Sequence, residues 1–251
     1  SSALAFVVEF PPPGVELIAF DVGHGDALGL RLPDGTRMLI DTGGKAAHGK
    51  TPNPARDPNR QIAERILVPA LRASGFSSID LLVITHSDLD HVGAASALAD
   101  RIPIRHLWLA PCARRSRVVR SLVARLEARG THVHDVALTG PVDYGGATLE
   151  VLSPEPDLER EDACGMDDND ASLVMSVTYA GRRILLTGDI EAAAENALLA
   201  RARDHPEQLQ ADVLKVPHHG SRTSSSEAFL AAVSPDLAVI SGLPGKRPPP
   251  H

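Results

Sequence analysis

The chain has 251 residues, of which 43% are hydrophobic and 23% charged, so it can build a sizeable core and is not a disordered polypeptide. Its 25 Lys and Arg stand against 32 Asp and Glu, a net charge of −7, which argues against gripping nucleic acid by bulk positive charge but leaves room for a local basic patch. No apolar run approaches the ~18 residues of a spanning helix; the segments 3–8 and 79–85 are among the most apolar and both are too short.

The chain as given is expected to be soluble. It is also expected to be a fragment, since it starts at Ser1 and stops in Pro248-Pro249-Pro250-His251. Two cysteines, Cys112 and Cys164, cannot build a disulfide framework and lack the CxxC spacing of a zinc knuckle.

In chain order, 15–22 reads as a buried strand and 27–32 as a second. The turn Pro33-Asp34-Gly35 leads to a third at 37–42, giving an antiparallel meander. Residues 43–58 read as an exposed loop, and 59–73 as a helix that Pro69 kinks or restarts. The run 81–85 is apolar enough to be buried on both faces. Helix is expected at 92–100, strand at 106–110, and helix at 114–129 with an apolar stripe of Val118, Val119, Leu122, Val123 and Leu126.

Strands at 132–136 and 148–152 follow, then a polar acidic loop over 154–168. A hairpin of 172–179 and 182–187 turns at Ala180-Gly181. Helix 190–203, strand 212–216, helix 224–233 and strand 237–241 complete the pattern. Two groups of strands interleaved with helices predict an α/β sandwich of αββα type. The chain reads as one domain, with 1–14 a leader and 243–251 a truncated tail.

Three clusters carry chemistry. His86-Ser87-Asp88-Leu89-Asp90-His91 follows the buried strand and packs four nitrogen or oxygen donors into six residues, a set suited to Zn²⁺ or Mn²⁺; alternatively it is a polar strand end with capping carboxylates. Thr187-Gly188-Asp189 ends another apolar strand, where Asp189 is either a ligand or a helix N-cap. Val216-Pro217-His218-His219-Gly220-Ser221 ends a third, as a ligand loop or a surface turn. All three lie at the carboxyl ends of hydrophobic strands, where such sheets place their sites. His86, Asp88, Asp90, His91, Asp189 and His219 together offer six donors, about what two divalent ions need when one carboxylate bridges.

HxDxDH, then GD, then HHGS resembles the metallo-β-lactamase superfamily, with Asp88 where many members carry a second histidine. Residues 20–27, Phe-Asp-Val-Gly-His-Gly-Asp-Ala, look like the DVGxGD entry motif of the ComEC family of DNA-uptake proteins. Ile40-Asp41-Thr42-Gly43-Gly44, 85–93, 169–174, 186–190 and 215–226 follow in that family's order, over roughly 15–242. The family commonly has Gln at the place of His24, and an Asn…Gly-His-Pro element that 242–251 matches only loosely.

The resemblance implies roles. His86 and Asp88 would hold one metal; Asp90, His91 and His219 the other; Asp189 would bridge. His218 would face substrate, and with Asp90 forms the candidate catalytic pair. Asp168 or Asn169 would stand where many members place a further histidine, or water would complete the shell, and the extra oxygen donors tilt the two-ion cofactor from Zn²⁺ toward Mn²⁺. Two cations would acidify water for hydrolysis of an ester or phosphodiester.

Asp21 and Asp26 would shape a turn beneath the metal loop and Asp41 would buttress a ligand histidine. Ser221, Thr223 and Ser224 to Ser226 would cap the next helix, or Ser221 would touch a phosphate. The arginines 114, 115, 117, 120, 125 and 129 read as a solvated helix face before a DNA contact.

The resemblance implies a metal-dependent phosphodiesterase or nuclease domain of a DNA-uptake channel, degrading the strand that is not transported. Its partners would be DNA and a membrane channel in the same polypeptide; the domain would be monomeric and extracytoplasmic. The alternatives are a free-standing hydrolase of a small phosphoester or ester, and a non-catalytic docking domain.

Overall fold

The computed structural model describes residues 5–9, 14–45, 57–155 and 169–242. Short strands of β-branched and aliphatic residues, broken by Gly and Pro turns, build two sheets. The first runs in chain order: β1 (Ala5–Glu9), β2 (Glu16–Phe20), β3 (Leu28–Arg31), β4 (Arg37–Ile40), β5 (Ile79–Ile84), β6 (Ile104–Leu109) and β7 (His132–Asp135). It is antiparallel through β4, as the meander predicted, and parallel from β4 to β7. Ala5–Glu9, within the stretch expected as leader, is its edge strand.

The second sheet comprises β8 (Thr139–Tyr144), β9 (Ala147–Ser153), β10 (Val174–Tyr179), β11 (Arg182–Leu186), β12 (Val213–Lys215) and β13 (Leu237–Val239). It is antiparallel to β11 and parallel beyond.

Each parallel step needs a crossover, and helices supply it. Before β5 come α1 (Pro58–Ile62), a π-helical turn (Ala63–Leu67) and α2 (Val68–Ala73). The π turn sits where Pro69, without an N–H, breaks the regular ladder, and the N-cap is Asp57 rather than Asn59. Then come α3 (Leu89–Val92), α4 (Ala95–Ala99), a 3₁₀ turn (Pro111–Arg115) and α5 (Arg117–Glu127), which Ser116 caps. In the second half α6 (Ala192–Arg201) precedes β12 and α7 (Glu227–Val233) precedes β13.

Side chains alternate across the second sheet. Met175, Val177, Ile184, Leu186 and Val213 turn inward and share one core with the first sheet, while Val174, Leu185 and Leu214 turn outward onto Leu198 of α6 and Phe229 and Val233 of α7. Each fully buried Leu, Ile or Phe contributes roughly 1.5–3 kcal/mol to holding these layers together. On α5 the stripe Val119, Leu122, Val123 and Leu126 is buried, as its spacing predicts.

Candidate metal centre

The loops after β4, β5, β11 and β12 meet between the two sheets. The expected helix at 92–100 starts earlier: Asp88 is extended as the N-cap of α3, so Asp90 and His91 ride on its first turn. Two glycines let other loops press against that turn. A Cβ on Gly25 would collide with the Asp90 carbonyl and one on Gly44 with the Leu89 carbonyl, and both glycines have positive φ. Thr42 donates from both N and Oγ1 to the His91 carbonyl, at 2.7 and 2.9 Å.

Asp90, His91, Asp189 and His219 each bring one donor atom within 4.8 Å of the others. Asp189 Oδ2 stands 3.1 Å from His91 Nε2 and 3.1 Å from His219 Nε2, and these two nitrogens are 3.3 Å apart. Asp90 Oδ2 lies 3.6 Å from His219 Nε2. His86 packs its ring 4.1 Å from that of His91, and its Nε2 is 4.0 Å from Oδ2 of the half-exposed Asp88. Four of the six expected donors thus form one tight group, with His86 and Asp88 adjoining it.

Behind each inner histidine stands a carboxylate. Asp41 Oδ2 meets His91 Nδ1 at 2.8 Å, and Asp41 also accepts from Thr85 N and Thr85 Oγ1. Asp26 Oδ1 faces His219 Nδ1 at 3.5 Å. Asp21 stays on the surface, its Oδ1 accepting from Gly23 N, and so shapes the turn that delivers Asp26 without reaching a histidine.

His218 turns away from this group. Its Nδ1 is 2.8 Å from Glu191 Oε1 and its ring lies 6.2 Å from that of His219. Both residues hold positive φ, 45° and 53°, a costly conformation for residues with a Cβ and one often found at functional sites. Glu191 also accepts from Thr223 Oγ1.

The serine cluster divides its work. Ser221 N donates to the His218 carbonyl, Ser221 Oγ pairs with Thr223, and Ser224 Oγ donates to Pro217; of the group, Ser226 is the residue that caps α7. Asn169 gives its carbonyl to Ser172 N, and Asp168 lies outside the described residues. His24 sits at the exposed rim, its Nε2 3.7 Å from Asp90. Several arginines near and on α5 are engaged locally, Arg114 with Asp135 and Arg125 and Arg129 with Asp100.

The model of the metallo-beta-lactamase superfamily matches residues 21–242. The chain belongs to this superfamily. It is 30% identical over 228 residues to ComE operon protein 3 of Bacillus subtilis, covering 90% of the chain and 28% of that protein. It is 30% identical over 243 residues to Competence protein ComA of Neisseria gonorrhoeae, covering 95% of the chain and 29% of that relative. The chain therefore spans less than a third of these relatives. Among solved structures it matches CmlA, a diiron beta-hydroxylase from Streptomyces venezuelae, with a TM-score of 0.52 and 16% identity over 96% of this chain and 45% of CmlA, a likeness of fold.

Side-chain chemistry suits the dinuclear metals of the superfamily. Thr85 Oγ1 donates to Asp41 and so accepts from His86 Nδ1, leaving His86 Nε2 as a bare lone pair. That atom and Asp189 Oδ1 are buried without a hydrogen-bond partner, a cost that a cation would remove. Burial holds His86 neutral, its pKa pushed down to about 3.

Burial alone would raise Asp90, but the hydrogen bond from His219 and the charge of His91 hold it at about 2. Asp189 is likewise kept far below the usual carboxylate range by His91 and His219, against its burial. Burial raises Asp41 despite His91.

Two residues of this superfamily site had no signal of their own in the sequence. Lys215, which opens the 215–226 motif but received no role from it, is fully buried and contacts Asp26 at 2.8 Å. Glu191 reads as an ordinary first-turn acid, and the GD cluster beside it was its only pointer.

Proposed function

We propose that the chain is a metal-dependent phosphodiesterase acting on DNA, the nuclease domain of a DNA-uptake protein that degrades the strand not transported. The convergence of Asp90, His91, Asp189 and His219 from both sheets, beside the bare Nε2 of His86, carries this reading. The similarity to a competence protein over 95% of the chain points it toward DNA. Asp90, His91, Asp189 and His219 would hold one divalent ion, Mn²⁺ or Zn²⁺, and His86 with Asp88 would hold a second, Asp189 being shared. Such ions supply Lewis acidity and bring the pKa of water toward neutrality.

The chain's own residues do the rest. Asp41 fixes His91 by its Nδ1 at 2.8 Å, and Asp26 faces Nδ1 of His219 at 3.5 Å, so that Nε2 of each ring is turned to the site. Glu191 anchors Nδ1 of His218, leaving its Nε2 to deliver a proton to the departing oxygen. The deep burial of His86, His91 and Asp189 excludes bulk water, which strengthens every charge–charge interaction there.

No helix among the described residues is long and apolar enough to cross a membrane. The chain covers 28–29% of its competence-protein relatives, and on this reading it is a monomeric, extracytoplasmic domain tethered to a membrane channel of the same polypeptide.

The test combines metal analysis with cleavage of single- and double-stranded DNA. Protein loaded with Mn²⁺ or Zn²⁺ should cut DNA, and both the chelator-stripped protein and Asp90→Asn should not. A loaded protein that leaves DNA intact while hydrolysing a small phosphodiester would overturn the nuclease reading.

A further inference from the structure

Lys215 is 1% exposed and Asp26 1%, and they meet at 2.8 Å, Lys215 Nζ also donating to the Val216 carbonyl. Burying two charges is costly, and an apolar pair of similar volume would serve stability as well or better, so stability alone does not account for this pair. Its placement does. Asp26 belongs to the β2–β3 loop of the first sheet and Lys215 ends β12 of the second, so the pair spans the seam in which the site lies.

The Lys215 carbonyl accepts from Thr187 Oγ1, two residues before Asp189, and the Asp26 carbonyl accepts from Gly43 N. The second oxygen of Asp26 faces His219 Nδ1 at 3.5 Å, and these two atoms are both buried without a hydrogen bond. His91 differs: its carboxylate already bonds it at 2.8 Å and is itself fixed by the neutral donors of Thr85.

We propose that Lys215 is a positioning residue for metal binding: by pinning one oxygen of Asp26 it aims the other at His219 Nδ1 and so sets the ligand nitrogen of His219 toward the cation. At 3.5 Å the Asp26–His219 contact is just beyond hydrogen-bond length, so the direction in which Asp26 is held decides how the His219 ring is set. This rests on the metal-binding reading of the site and not on the identity of the substrate.

The test titrates the metal-free chain with Zn²⁺ or Mn²⁺ against a chromophoric chelator, with no nucleic acid present, and records Tm in parallel. Lys215→Met should weaken the metal position that includes His219 by roughly 10–100-fold and leave the other unchanged, as removing a partner behind a ligand histidine does. Should that variant fail to fold, with Asp26 left as an unpaired buried charge, Lys215→Met/Asp26→Asn removes both charges together. The double variant should fold, show the same single-position loss, and equal Asp26→Asn alone.

Wild-type affinity at both positions in a folded Lys215→Met or double variant would overturn the proposal. So would a further loss when Lys215→Met is added to Asp26→Asn. A wild-type chain that takes up no metal would overturn the metal reading itself, whereas metal uptake without DNA cleavage would leave this inference standing.

Discussion

His91 Nδ1 and Asp41 Oδ2 are 2.8 Å apart, and neither side chain has any contact with solvent. The carboxylate fixes the ring so that Nε2 points to Asp189. Asp41 has φ of 58°, a conformation that Asn tolerates, so Asp41→Asn removes the charge without straining the backbone. We expect this substitution to weaken metal binding by roughly 10–100-fold and, because the amide NH2 would face a donor where Asp41 accepts from Thr85 and His91, to cost about 1–3 kcal/mol of stability, checked by chelator competition and thermal unfolding. An unchanged metal affinity would remove Asp41 from the site's machinery.

The neighbours His218 and His219 should separate cleanly. His219 lies inside the donor group and His218 is held outside it by Glu191. His219→Ala is expected to lose metal together with activity. His218→Ala should keep its metal and lose turnover by roughly 10²–10⁴, the range of general acid–base groups. Bound metal measured in both proteins decides it, and the reverse pattern would exchange their roles.

The acid–base behaviour of the metal-free chain follows from the same geometry. Burial opposes charge on His219, but Asp189 and Asp90 overcome it and push its pKa up to about 9. A pKa raised in the folded state contributes stability that is complete below the ordinary histidine value and is lost as pH rises through about 9. Tm of the metal-free protein should therefore fall between pH 7 and 10. Metal affinity should rise over the same interval, because the cation must displace that proton. Proton release on metal addition, followed in a weakly buffered solution, measures this directly.

The close approach of Gly44 to the Leu89 carbonyl gives a steric test. Gly44→Ala forces a collision with backbone at a positive φ, so the metal loop must shift. The cost is expected to be roughly 3 kcal/mol, of order 6–12 °C in Tm for a domain of this size. Gly130→Ala, also at positive φ but with open space around it, should cost only about 1 kcal/mol.

The donor group was legible because its residues cluster in short motifs at strand ends, where donors serve little else. The roles of Lys215 and Glu191 were not, since Lys215 entered only as the first residue of a family motif and one acid at a helix start carries no pattern of its own. Their meaning depends on Asp26 and His218, which lie far off in sequence or on a strained turn.

The fold shows the same division. The β2–β4 meander and the α5 stripe follow from periodicity. β8 escaped because Gly140, Pro141 and Asp143 are poor strand formers, and it pairs with β9 as a largely exposed edge. The early start of α3 was hidden because Asp88, at its N-cap position, makes no side-chain capping hydrogen bond there and belongs to the donor motif.

His91 is separated by 98 residues from Asp189 and by 128 from His219 along the chain. A polypeptide still emerging from synthesis can complete its first sheet while holding only the early donors. Closing loops of that length precedes any reward from the contacts they make. Assembly of the centre is thus a late event that certifies a finished domain, and a truncated or half-folded product is left with an incomplete donor set.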